Sequence, residues 1–253
     1  ITLLTTMSKF VSKIANDHII RIVTQNGWLS ASQKAGKPRF RGCPTALMID
    51  AEAAHDAGLW GKTLIMQYFD FSSAYDSTSQ EAIKSALRRA GIPQNLINYV
   101  EKQMKKWVTQ LTLGGERIGR PISIKSGIFQ GDSLSPTLFL LAMNLLHRKL
   151  EQGPGYVFGN VTRRNRNADS TGKPILRDIG YCDDMKTYAG SEEDAQKQAE
   201  ILRSTGEQLG LKLNAAKCGK IVLRGKKGER VMHGKESIQT ERLEENALMK
   251  ELM

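Results

Sequence analysis

The stretch "RDIGYCDDMKTYAG" (residues 177–190) sets two adjacent acids, Asp183 and Asp184, between short apolar runs. Aspartate is depleted in strands, and like charges side by side repel each other. The flanks nevertheless alternate as the arms of a β-hairpin do, with the acids at its tip. Two readings fit such a pair: a plain turn, which Asp favours, and a metal site. Taken alone, the turn is the ordinary reading. The choice depends on whether the fold carries a further acid to the same tip.

A candidate lies upstream. "KTLIMQYFDFSSAYDS" (residues 62–77) begins as a buried strand and breaks into a polar turn after Asp70. Between the two acidic sites, helical spacing marks "SQEAIKSALRRAG" (79–91) and "PQNLINYVEKQMKKW" (93–107), the second with Pro93 in its first turn. A hairpin follows, "TQLTLGGERIGRPISI" (109–124), turning at Gly114–Gly115. The most apolar helix of the chain is then "DSLSPTLFLLAMNLLHRKLEQG" (132–153). Beyond the acidic hairpin, Ser191 with Asp194 makes a capping-box start for a helix that Gly210 closes, and "KIVL" (220–223) reads as a strand. Ahead of everything stand a helix from about Leu3 to Thr24, a basic glycine-rich loop (30–47), and a helix from Thr45 through His55 ending near Gly58.

This order predicts an α+β fold, a split βαβ or ferredoxin-like antiparallel sheet with helices on one face. In that topology the end of the Asp70 strand lies beside the Asp183–Asp184 hairpin. The expected organisation is a partial helical region over residues 1–62, and a sheet domain over 63–224 that includes helices 79–107 and hairpin 108–125. The charged tail, residues 225–253, is expected to be irregular or helical with little core.

Composition narrows the function. A formal net charge of +11 over 253 residues favours polyanions, through phosphate contacts and counterion release. Acids kept at one place against that background suit magnesium-dependent chemistry on nucleic acid. Cys43, Cys182 and Cys218 are odd in number and widely spaced, which fits neither a disulfide framework nor a zinc motif and points to a reducing compartment. No run of about 18 apolar residues suggests a membrane span. The first stretch lacks the pattern of a secretory signal, so the sequon Asn160-Val161-Thr162 is read as chance. The start at Ile1 rather than Met suggests a fragment of something longer.

Here a family resemblance becomes specific. "YFDFSSAYDS" (68–77), "SGIFQGDSLSPTLF" (126–139), "YCDD" (181–184) and "GLKLNAAKC" (210–218) occur in the order of the palm motifs of reverse transcriptases. They are most similar to those of non-LTR (LINE-type) retrotransposons, particularly the site-specific group that inserts into repeated genes. "ITLLTTMSKFVSKI" (1–14) and "QKAGKPRFRGC" (33–43) resemble that family's fingers segments. The resemblance implies a polymerase palm with partial fingers, and a tail leading to a thumb and further domains that lie outside the chain.

It also implies roles for residues. Asp70 and Asp183 would be the main ligands of two Mg2+ ions, with Mn2+ as a substitute. Asp184 would assist them, and Phe71 would offer its backbone carbonyl. Tyr75, five residues past Asp70, matches the ring that excludes a ribose 2′-hydroxyl, with core packing as the competing role. Gln130 and Gly131 match the loop beneath the template base and incoming nucleotide, and Asp132 could equally be a helix cap. Lys217 matches a lysine proposed to protonate pyrophosphate, with a solvated surface lysine as the alternative. Arg39 and Arg41 would pair with the triphosphate or touch template phosphates. The implied partners are an RNA template, a DNA primer, deoxynucleoside triphosphates and the rest of a retroelement protein, with no membrane. The implied setting is intracellular, and nuclear for the parent protein. Two alternatives stay open: a catalytically silent nucleic-acid-binding relic, and an RNA-templated RNA polymerase. The second typically has an acid where Tyr75 stands, and here Asp76 falls one step late.

Overall fold

A computed structural model describes residues 4–36, 42–159, 174–224 and 239–241. The chain forms two compact units, each drawn from separated stretches of sequence.

The unit containing residues 31–71, 146–205 and 213–253 is built on an antiparallel sheet. Its strands are β1 (Thr63–Phe69), β6 (Asp178–Tyr181), β7 (Asp184–Ala189), β8 (Gly219–Arg224) and β9 (Gln239–Glu241), in the order β6-β7-β1-β8-β9. β1 is central because it is buried on both faces, as its run "TLIMQYF" requires. Leu64 and Met66 meet Tyr188, Ile179 and the small Ala53 and Ala57 of helix α2 (Gly42–Trp60) on one face. Ile65 and Ala189 meet Ala195 of helix α7 (Glu192–Gln208) on the other. The sheet is the α+β arrangement expected, with α2 added over its second face.

Ser191 caps α7 by accepting the Asp194 N–H at 3.2 Å. Gln198, fully buried on α7, donates to the Tyr188 carbonyl at 3.0 Å and ties that helix to β7. A small ribbon of β4 (Tyr156–Val157) and β5 (Ile175–Leu176) has no counterpart in the sequence reading. It is anchored by Asp56 of α2, which accepts from the Tyr156 hydroxyl at 2.7 Å and the Gly159 N–H at 2.8 Å and pairs with Lys62.

The unit containing residues 1–30, 72–145 and 206–212 is mainly helical. It holds α1 (Thr6–Gln25), the single turn α3 (Ala74–Ser77), α4 (Gln80–Arg89), α5 (Gln94–Lys105), the ribbon β2 (Val108–Leu113) with β3 (Glu116–Ser123), and the start of α6 (Ser135–Leu150). α4 and α5 bury Ile83, Leu87, Ile97 and Val100 at the spacing that marked them as amphipathic. Pro93 stands at the N-cap of α5, one place ahead of the first turn where it was expected.

The hairpin expected over 109–124 forms as the ribbon β2–β3, its own two-stranded sheet with β3 exposed along its length and Leu111 and Leu113 open to solvent. One expectation needs correction. In the tail, read as irregular or helical, residues 239–241 form the edge strand β9 paired with β8. Three polar residues, Gln-Thr-Glu, carry no apolar alternation, so backbone pairing alone makes that strand. The rest of the tail lies outside the described residues.

Candidate active site

The register of the sheet decides which acids meet. β1 and β7 pair antiparallel with Phe69 opposite Met185. One further step sets Asp70, just past the end of β1, opposite Asp184 at the start of β7. β6 and β7 close their hairpin through Tyr181 and Asp184, which leaves Cys182 and Asp183 in the turn. Acids more than a hundred residues apart in sequence therefore share one end of the sheet.

A third segment completes this end. The Asn214 N–H donates to the Asp70 carbonyl at 2.9 Å, and Phe71 forms an antiparallel bridge with Leu213. A 3-10 turn over Ala215–Lys217 then carries the Lys217 ammonium to 3.6 Å from an Asp70 carboxylate oxygen. That separation is an ion pair rather than a hydrogen bond. Lys217 is 67% exposed and Asp70 26%.

The electrostatics show that the acids feel one another. Burial, then the charges of Asp183 and Asp70, hold the Asp184 carboxyl above its usual range, with Lys217 pulling the other way. Burial, then the charges of Asp183 and Asp184, push the Cys182 thiol up. The charges of Asp70 and Asp183 oppose ionisation of Asp184, a repulsion that a hard divalent cation relieves, and oxygen donors are what magnesium prefers. The donor chemistry at this end of the sheet therefore fits a divalent ion. Among the described residues, however, no three His, Cys, Asp or Glu side chains stand gathered at metal-holding distance.

Tyr75, Gln130, Gly131 and Asp132 belong to the mainly helical unit. Tyr75, on α3, is half-buried and stacks on Phe139 with ring centroids 4.4 Å apart. Its carbonyl accepts the Ile128 N–H at 3.0 Å, which ties α3 to the "GIFQGD" loop. Gln130 and Gly131 of that loop are exposed, and Gly131 adopts φ +109°, a conformation glycine tolerates without strain. Asp132 is 7% exposed, and its Oδ1 has no hydrogen-bond partner among the described residues. Gly127 allows a close approach, because a Cβ there would lie 2.5 Å from the Asp76 carbonyl oxygen. Arg39 and Arg41 lie outside the described residues.

Strain collects beside the acids. Ser73 and Cys182 are the non-glycine residues with positive φ among the described residues, at +46° and +58°. One follows Asp70 by three positions and the other directly precedes Asp183. Such conformations persist only where surroundings over-determine them. For Cys182 the surroundings are Gln33, His147 and Asp178, none of which the sequence reading singled out. Gln33 sits in a loop that reads as merely basic and glycine-rich. The available signal was His147, a buried polar residue one turn beyond the equally buried Asn144 on the apolar helix α6.

Known proteins resemble this chain in sequence and in fold. A family profile described as "Reverse transcriptase (RNA-dependent DNA polymerase)" matches residues 1–240. The chain is 28% identical, over 64% of its length, to a retrovirus-related Pol polyprotein from type-1 retrotransposable element R2 of Nasonia vitripennis. It is 30% identical, over 62% of its length, to a Pol polyprotein from type-2 retrotransposable element R2DM of Drosophila melanogaster. These matches span only 14% and 13% of those proteins. Among solved structures, telomerase from Candida albicans, in complex with a fragment of telomeric RNA, matches 87% of this chain and 34% of its own, with TM-score 0.59 and 14% identity. An apo telomerase from Candida tropicalis matches 88% of this chain and 42% of its own, with TM-score 0.58 and 16% identity. At such identities the structures speak for the fold alone.

Proposed function

The chain belongs to the reverse transcriptase (RNA-dependent DNA polymerase) family, and on that premise we propose that it is the polymerase portion of a retroelement protein, extending a DNA primer on an RNA template. The observation that carries this reading is the meeting of Asp70 and Asp183–Asp184 at one end of the sheet, fixed by the β1–β7 register.

In this reading Asp70 and Asp183 hold divalent metal, magnesium first and manganese as a substitute, with Asp184 and the Phe71 carbonyl assisting. When bound, a pair of such ions activates the primer hydroxyl and stabilises the leaving oxygen. Lys217, an exposed cation drawn toward Asp70, donates a proton to the departing pyrophosphate. Tyr75, held against Phe139 by its stacked ring, limits the sugar to the deoxy form. Gln130 and Gly131 lie exposed in a loop that would carry the templating base and incoming nucleotide. Arg39 and Arg41 add planar cations for phosphate. The net charge of +11 draws template and primer to the protein. A parent protein acting on chromosomal DNA would work in the nucleus.

Primer extension on an RNA template tests this directly, with magnesium and with deoxy- and ribonucleotides compared. Deoxynucleotide incorporation is expected to fall by at least about a hundredfold with Asp183→Ala, since the lost carboxylate would leave metal charge unsupported. RNA binding without extension, unchanged by Asp183→Ala, would instead identify a binding relic.

A further inference from the structure

Cys182 occupies the left-handed region at φ +58°, which a residue with a Cβ avoids. It stands directly before Asp183, so whatever holds it there also sets the direction of both carboxylates. The hold comes from one buried side chain. Gln33 accepts the Cys182 N–H on Oε1 at 3.1 Å, and its Nε2 donates to the Cys182 carbonyl at 3.3 Å. A single carboxamide thus grips both polar groups of one residue.

The orientation of that carboxamide is not free. Oε1 also accepts the Ala35 N–H at 3.0 Å, so two backbone donors fix the oxygen, and Nε2 must face the other way. There it meets His147 Nε2 at 3.3 Å. An amide N–H needs an acceptor, so His147 keeps a lone pair on Nε2 and carries its proton on Nδ1. That proton is donated to Asp178 across 2.5 Å, and the other Asp178 oxygen accepts the Ser32 hydroxyl at 3.1 Å. Gln33 and His147 are fully buried and Asp178 is 2% exposed.

Backbone pairing seats this chain of groups. Gly180 of β6 donates to the Ser32 carbonyl at 3.1 Å, and its own carbonyl accepts the Lys34 N–H at 2.7 Å, so residues 32–34 run along β6. A Cβ on Gly180 would lie 2.5 Å from His147 Cε1, which is why the strand has glycine at this position.

We propose that Gln33, oriented by His147 and Asp178, is a positioning residue that fixes the Cys182 turn and thereby aims Asp183 and Asp184 toward Asp70. None of the three touches the reacting groups. The consequence for metal binding rests on the reading of the aspartates given above, whereas the grip on the turn does not.

The test uses the whole 253-residue chain, as wild type, Gln33→Leu, the milder Gln33→Asn, and Gln33→Leu combined with Cys182→Gly. Amide hydrogen exchange reports on the turn, and Mn2+ binding, followed by electron paramagnetic resonance, reports on the aspartates. Removing the grip is expected to speed exchange at residues 180–185 by about tenfold while the β1–β8 amides stay protected. Mn2+ binding is expected to weaken by about tenfold, as loss of an outer positioning partner does. Cys182→Gly removes the strain that the grip opposes, so in the Gln33→Leu background it regains most of the lost affinity. Should Gln33→Leu not fold, Gln33→Asn carries the same expectations, because its shortened carboxamide falls short of Cys182. Exchange in the turn as slow as wild type overturns the proposal. So does weakened binding that tracks a rise in exchange everywhere and that Cys182→Gly does not recover. Failure of the wild-type chain to bind Mn2+ would sink the metal reading instead, and the exchange result alone would then decide the role of Gln33.

Discussion

Tyr75 shows how one ring can be asked to do two things. Its stack on Phe139 is ordinary core packing, yet the residue is only half-buried and lies five positions past Asp70. If the exposed part gates the sugar, Tyr75→Ala raises ribonucleotide incorporation by about tenfold or more, the scale on which a pocket reads a small steric difference. Sugar selectivity unchanged in an active Tyr75→Ala variant would return the ring to packing alone. Asp56 poses a different question, about stability. Burial would raise its pKa, but Lys62, the Tyr156 hydroxyl and the Gly159 N–H reverse that and leave the carboxyl below its usual range. A depressed folded-state pKa contributes stability above the unfolded value near 3.9 and loses it as pH falls below that value. Urea midpoints should therefore drop more steeply for wild type than for Asp56→Asn between about pH 5 and pH 2.5. At neutral pH the variant should be weaker by about 1–2 kcal/mol, after allowing for solvent screening. Parallel midpoints across that range would show that the Asp56 charge contributes nothing to the pH dependence of folding.

Among the elements, the central strand and the ribbon respond to substitution in opposite ways. β1 is apolar along most of its length because helices cover both its faces, and Leu64 is fully buried. Leu64→Ala is expected to cost about 2–5 kcal/mol in chemical denaturation. Leu113 on β2 is 73% exposed, and Leu113→Ser should change stability by less than about 0.5 kcal/mol. Equal losses would mean that the ribbon is packed in solution. Elements with strong periodicity or a glycine turn could be read before any coordinates: α4, α5, α6, β1 and the Gly114–Gly115 ribbon. β9 could not, because three polar residues take their structure from the edge of β8. β4 and β5 could not either, since two-residue strands have no period and depend on the Asp56 anchor.

For the whole molecule, the α+β class followed from the succession of strands and helices. That topology set the end of the Asp70 strand beside the acidic hairpin, while the register between them came only with the structure. What stayed hidden was everything set by distant contacts. Gln33 lies 149 residues from the turn it grips, and no local pattern marks it. The left-handed Cys182 was equally invisible, because cysteine carries none of glycine's signal for that conformation. Lys217 was visible only as part of a motif, and its approach to Asp70 depends on the Phe71–Leu213 bridge. A basic chain that keeps three acids at one end of its sheet is the arrangement that metal-assisted nucleotidyl transfer needs, and the account as a whole depends on that end holding a cation. The most direct measurement is anomalous diffraction from crystals soaked in Mn2+. The account predicts manganese with oxygens of both Asp70 and Asp183 at about 2.0–2.3 Å, ordinary bonding range for a small divalent ion. Manganese bound elsewhere, or held by Asp183 while Asp70 stays with Lys217, would contradict it.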